Sequence, residues 1–247
     1  MLINSVNSGV RHIRGRTKQE SDSPTESFIG SALPMQYLRK RLGKKTMQND
    51  RIKKEDITGL VLAGGKGSRM GGVDKGLVAF EDVPLVEHVI GILKPQCRTL
   101  VVSANRNEDV YAKYGYPVVT DDDKNFSGPL AGIAAALEIV KTPYMVVAPC
   151  DSPFLPSDYV ERLAGGLNEH RGRAVAAART NGREQPVFML IKTDVKHAVR
   201  EALATGQLAL HRWLNRTMNV VWVDFDDEGA FENMNRAEDL TAKNKCL

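Results

Sequence analysis

Ile57-Thr58-Gly59-Leu60-Val61-Leu62-Ala63-Gly64-Gly65-Lys66-Gly67-Ser68-Arg69-Met70-Gly71-Gly72-Val73-Asp74-Lys75 is the most informative stretch of this chain. Ile57–Leu62 is a short apolar run closed by glycines, the pattern of a strand buried on both faces of a parallel sheet. From Leu62 to Lys75, five glycines and three cations fall within 14 residues. Glycine opens positive φ and lets a ligand approach backbone N–H groups, while Lys66, Arg69 and Lys75 attract negative charge. A flexible turn has no need of those cations, so the segment reads as a phosphate-binding loop. It is not a Walker loop. Counted from Gly59 the spacing meets Gly65 where Lys is required, and counted from Gly67 it meets Val73. The dinucleotide fingerprint fits little better, because Gly65-x-Gly67 is followed by Met70 in place of a third small residue. Asp82 could imitate a ribose-binding acid, which leaves a redox enzyme as a remote alternative.

Beyond the loop, apolar runs alternate with helical patterns. Strands are expected at Thr99–Val102, Pro117–Val119, Tyr144–Ala148, Ala174–Ala178, Val187–Ile191 and Val220–Phe225. Helices are expected at Val83–Leu93, Asp109–Lys113, Pro129–Val140, Asp158–Glu169, Thr193–Ala204 and from about Arg236. This alternation predicts an α/β, Rossmann-like fold: a mostly parallel twisted sheet with helices on both faces. Ligands of such sheets bind beyond the C-terminal ends of the strands, which draws attention to the residues just after them. Asn105 follows one strand and by itself reads as a turn former. Asp121 opens the acidic trio Asp121–Asp123 after another. Asp151 follows a strongly apolar strand, where a carboxylate suits Mg²⁺, a hard cation that takes oxygen ligands, although a turn or cap role is the alternative. Cys150 reads as a buried small residue and not as a nucleophile, and the five histidines have no metal-ligand spacing.

Composition bounds the function. With 42% hydrophobic and 26% charged residues among 247, the chain has enough apolar material for a core. No apolar run approaches the roughly 20 residues of a membrane span. The net charge of +4 belongs to the N-terminus: residues 1–56 hold 12 Lys and Arg against 6 Asp and Glu, and the remainder holds 22 against 24. A mildly acidic body argues against nucleic acid as a partner. Residues 1–56 read as a basic, largely disordered extension, with a short helix conceivable around Leu33–Leu42, and 57–247 as one α/β domain. Three widely spaced cysteines and no secretory pattern point to a reducing, cytoplasmic setting.

Leu-Ala-Gly-Gly, then Ser-Arg-Met-Gly, then Asp-Lys is similar to the signature of nucleotidyltransferases with a nucleotide-diphospho-sugar transferase fold. It most resembles the molybdenum cofactor guanylyltransferase family, over Ile57 to about Leu240. The resemblance implies that the backbone of Leu62, Ala63, Gly64 and Gly65 cradles a nucleotide, with Asn105 and Asp121 contacting it. It implies that Arg69 and Lys75 hold the triphosphate and that Asp151 binds Mg²⁺; these three are the implied catalytic residues. The implied reaction transfers GMP from Mg-GTP to molybdenum-bound molybdopterin and releases pyrophosphate. The nucleotide-binding half is then about 57–155 and the acceptor half about 156–247. Ser127–Gly132 would border the base, and Leu-Ala-Gly-Gly looks like the guanine-using members, since cytosine-using relatives tend to carry Leu-Ala-Ala-Gly. Arg183–Val187 and Phe231–Asn235 resemble acceptor-side segments, but Arg236-Ala237 stands where the family commonly has Thr-Pro. Other cofactor-biosynthesis proteins and molybdoenzyme chaperones are the implied protein partners. The alternatives are a cytidylyl- or sugar-phosphate nucleotidyltransferase, or a non-catalytic molybdopterin carrier.

Overall fold

Alternate residues of the central strands enter two different cores, as a sheet covered on both faces requires. A computed structural model describes residues 51–64, 74–121, 128–217, 220–227 and 229–234. In β1 (Ile57–Leu62), Ile57 and Val61 join one apolar cluster while Leu60 joins the other. A small antiparallel hairpin, β2 (Ala79–Phe80) with β3 (Val83–Pro84), precedes helix α1 (Leu85–Leu93). β4 (Thr99–Ser103), α2 (Glu108–Ala112), β5 (Val118–Val119), α3 (Pro129–Ile139) and β6 (Tyr144–Pro149) follow. In β6, Val146 and Ala148 face the first cluster, and Met145 and Val147 the second. The chain continues through α4 (Tyr159–Glu169), β7 (Val175–Thr180), β8 (Arg183–Lys192), α5 (Lys196–Ala204), α6 (Leu210–Thr217) and β9 (Val220–Phe225).

Seven strands form the main sheet in the order β5-β4-β1-β6-β8-β7-β9. All pairings are parallel except those of β8, which runs antiparallel to both neighbours. Side chains of α1 and α4, such as Val89 and Leu163, fill the first face. Those of α3, α5 and α6, such as Ile133, Val199 and Trp213, fill the second. From β1 the chain moves outward through β4 to β5, then returns across to β6 on the other side of β1. The direction of winding reverses between β1 and β6, and the crevice of an open α/β sheet lies at such a reversal.

The expected α/β sheet is present, with local differences. The helix expected from Val83 starts at Leu85, because Val83 and Pro84 pair in the hairpin. β8 begins at Arg183, four residues before the expected start, because Asn181 (φ 49°) and Gly182 (φ 74°) close a two-residue turn that pairs Thr180 with Arg183. Helix α6 was not anticipated, although Leu210, Trp213 and Leu214 have helical spacing. Asp82 lies exposed at the tip of the β2–β3 hairpin, outside the main sheet, which removes the support for a dinucleotide-type ribose acid. Ile52 packs against the first cluster and its N–H donates to Asn168 Oδ1 at 3.2 Å, so residues just before Ile57 also contact the body. The helices expected at Leu33–Leu42 and from Arg236 lie outside the described residues.

Candidate active site

Two hydrogen bonds fix the end of β1. Ala63 N–H donates to Ser103 O at 2.8 Å, and Cys150 N–H donates to Leu62 O at 2.9 Å. Leu62, Ala63 and Gly64 thus leave the sheet between the ends of β4 and β6, at the reversal of winding. Gly65 and Arg69 lie outside the described residues.

Lys75 re-enters this region at the start of a 3-10 turn, Lys75–Leu77. Its Nζ stands 3.4 Å from Asp151 Oδ2, and both side chains are largely shielded from solvent. Burial pushes the Asp151 carboxyl above the usual carboxylate range, and the Lys75 ammonium partly counters this. The pair joins the last residue of the glycine-rich segment to the end of β6, two positions 76 apart in sequence. On the other side of β1, Asn105 and Asp121 hold each other by two bonds. Asn105 Nδ2 donates to Asp121 Oδ1 at 2.8 Å, and Asp121 N–H donates to Asn105 Oδ1 at 3.0 Å. A groove of about 640 Å³ borders Asp121 and is lined by Val119, Thr120, Ala131, Ala134 and Leu208. Helix α3 begins at Gly128 and Pro129 with its N-terminus at this edge of the sheet, the end of a helix that favours anions.

The C-terminal segment returns to the same place. Met234 N–H donates to Asp151 O at 2.8 Å, and Ser152 Oγ donates to Asn233 Oδ1 at 2.7 Å. Phe231–Met234, picked out in the sequence, therefore braces the Asp151 loop. The other acceptor-like segment starts β8, where Glu184 Oε2 lies 2.7 Å from His211 Nε2 of α6. Cys150 is buried and its thiol is pushed up by burial, so it is a packing residue and not a nucleophile.

Sequence reasoning missed Asp74, seen only as the residue before Lys75. Its carboxylate accepts from Gly76 N–H, Tyr111 OH and Asn107 Nδ2. A short turn with Asp at its start was the available signal. As a metal site, the described residues contain no cluster of three or more His, Cys, Asp or Glu side chains. The single buried carboxylate of Asp151 instead fits Mg²⁺, which takes one or two protein carboxylates and completes its shell with water and substrate phosphates.

The region 59–220 matches the model of the MobA-like NTP transferase domain. The chain belongs to the MobA-like NTP transferase family. MobA-like membership makes it a nucleotidyltransferase of the α/β fold described above. Molybdenum cofactor guanylyltransferase of Polynucleobacter asymbioticus is 44% identical over 192 residues, covering 76% of this chain and 96% of that protein. The solved molybdopterin-guanine dinucleotide biosynthesis protein A of Archaeoglobus fulgidus is 26% identical with a TM-score of 0.63, covering 76% of this chain and 97% of that one. The Mycobacterium tuberculosis protein Rv0371c, solved in complex with manganese, shares the MobA-like fold at 15% identity with a TM-score of 0.56, covering 78% and 100%.

Proposed function

We propose that this protein transfers GMP from Mg-GTP to the terminal phosphate of molybdenum-bound molybdopterin, forming the guanine dinucleotide and pyrophosphate. The observation that carries the reading is the Lys75–Asp151 pair at 3.4 Å, set where the winding of the sheet reverses and beside the end of the glycine-rich segment. The guanylyltransferase relatives support the choice of base and acceptor.

In this reaction an acceptor phosphate oxygen attacks the α-phosphorus of GTP. A new P–O–P bond forms, the bond from the α-phosphorus to the bridging oxygen breaks, and pyrophosphate leaves. A phosphate monoester has its second pKa near 6, so it is mostly dianionic at neutral pH and needs no general base. The chain's residues have to position the reactants and neutralise charge. The Leu62–Gly65 backbone cradles the nucleotide, Asn105 and Asp121 hold the nucleoside, and Arg69 and Lys75 offset charge on the triphosphate. Asp151 would hold Mg²⁺, which would supply charge screening and polarisation of phosphoryl oxygens. We place the nucleotide-binding half at about 57–155 and the acceptor half at about 156–247, with the N-terminal extension accessory up to the segment around Ile52, which packs on the body. The setting is cytoplasmic, where cofactor-biosynthesis proteins and molybdoenzyme chaperones are the protein partners.

The test is pyrophosphate release from GTP and from CTP by the purified protein with Mg²⁺, molybdopterin and molybdate. Release that requires the pterin and prefers GTP is the expected result. Preference for CTP would convert the reading to a cytidylyltransferase, and nucleotide binding without pyrophosphate release would favour a carrier. Lys75→Ala and Asp151→Asn each lower turnover about 10–100-fold in the same assay, with the fold retained by circular dichroism.

A further inference from the structure

A 3-10 turn of three residues cannot hold its own orientation, because it closes few hydrogen bonds for the dihedrals it fixes. Lys75–Leu77 has two backbone closures, Leu77 N–H to Asp74 O and Val78 N–H to Lys75 O, each 3.1 Å. Asp74 adds side-chain anchoring to these closures. One carboxylate oxygen, Oδ1, accepts from the buried Tyr111 hydroxyl at 2.6 Å and from Gly76 N–H at 3.2 Å. The other, Oδ2, accepts from Asn107 Nδ2 at 2.9 Å. The turn is also wedged against α2 and the end of β6: a Cβ on Gly76 would stand 2.5 Å from Tyr111 Oη and 3.1 Å from Cys150 Sγ.

Asn107 is the more telling partner. It occupies the N-cap of α2 in left-handed backbone, φ 52°, yet its side chain makes no capping bond. Asparagine at that position ordinarily caps its helix, worth about 1 kcal/mol. Here the amide forgoes the cap and reaches Asp74. Two residues earlier on the same loop, Asn105 holds Asp121. One short loop thus grips both the turn carrying Lys75 and the acid on the far side of β1.

We propose that Asp74 and Asn107 are positioning residues for the transfer reaction, with the Asn105–Asn107 loop fixing Lys75 relative to Asp121. The inference rests on the reading that Lys75 meets the triphosphate. It predicts that the donor–acceptor polarity of the Asp74–Asn107 bond matters to turnover and that either polarity serves if the two ends match. Asn107→Asp sets carboxylate against carboxylate, whereas Asp74→Asn leaves two amides that still bond if one of them turns over. The double variant Asp74→Asn/Asn107→Asp restores a bond between groups of the same shape.

The experiment measures kcat and KM for GTP by pyrophosphate release, with melting temperatures, for both single variants, the double variant, Tyr111→Phe and Lys75→Ala. Asn107→Asp is expected to lose about tenfold in kcat and Asp74→Asn less, with the double variant back to within about threefold of the parent. Tyr111→Phe keeps the ring packing and is expected to show a smaller loss in kcat, which retains a test should a charge variant fail to fold. Three results overturn the inference: a double variant no faster than Asn107→Asp, losses that follow melting temperature alone, or unimpaired Asn107 and Tyr111 variants beside an impaired Lys75→Ala. Full activity in Lys75→Ala would overturn the reading of Lys75 as well, which separates the two failures.

Discussion

Burial pushes the Asp151 carboxyl above its ordinary value of 3.8, and the Lys75 ammonium 3.4 Å away counters only part of the shift. With the folded pKa above the unfolded one, the unfolded chain releases its proton first as pH rises. Stability contributed by this group therefore falls from about pH 3.8 up through the raised folded value, and stays lowered at neutral pH. Burial that disfavours the charged carboxylate is relieved when a cation binds beside it, and it remains a cost to folding when none does. Asp151→Asn is therefore expected to raise the metal-free melting temperature at pH 7, by about 2–4 °C for each kcal/mol relieved, while abolishing most turnover. Differential scanning calorimetry with and without Mg²⁺ checks this, and Mg²⁺ should then stabilise the parent more than the variant. Asp151 was legible in the sequence because a carboxylate after an apolar strand is a local pattern. Its pairing with Lys75 was not, because the two lie 76 positions apart.

At the scale of elements, the seat of α3 sets the width of the crevice. Gly132 brings the helix onto the ends of β1 and β4: a Cβ there would stand 2.6 Å from Ser103 Oγ and 2.9 Å from Leu62 Cδ2. Gly132→Ala is expected to cost about 1–3 kcal/mol in urea denaturation, as overpacking at a close helix–sheet contact does. Ser103→Ala in the same chain should recover part of that loss by removing the nearest atom. In the sequence, Ser127–Gly132 read as a helix start, and the reason for its last glycine was hidden because the strand it touches is distant in the chain. The turn between β7 and β8 carries a local signal that a strand starting at Val187 passes over. Asn181-Gly182 is a strong local hairpin signal, and both residues adopt the positive φ that the turn demands. Gly182→Ala is expected to lose about 1 kcal/mol through that backbone strain, measured by the same denaturation.

For the whole molecule, the position of Ile52 decides where the body can be trimmed. Ile52 packs against the first core cluster and bonds Asn168, ahead of the composition-based boundary at residue 57. Removal of 1–56 should lower the melting temperature below that of a chain lacking only 1–50, since the partial burial of Ile52 and its bond to Asn168 are lost. Parallel thermal melts of the two truncations and the full chain make the comparison. The sequence by itself determined the α/β class and most strands and helices, and it put Asn105, Asp121 and Asp151 at strand ends. These rest on side-chain period, glycine conformation and charge, all set by near neighbours in the chain. Only the tertiary structure decided that β8 pairs antiparallel with β6, that Lys75 meets Asp151, and that Asp74 is held by Tyr111 and Asn107. Those are contacts between elements, and which elements meet is chosen by the packing of two apolar faces over the whole sheet, which no single stretch of sequence carries.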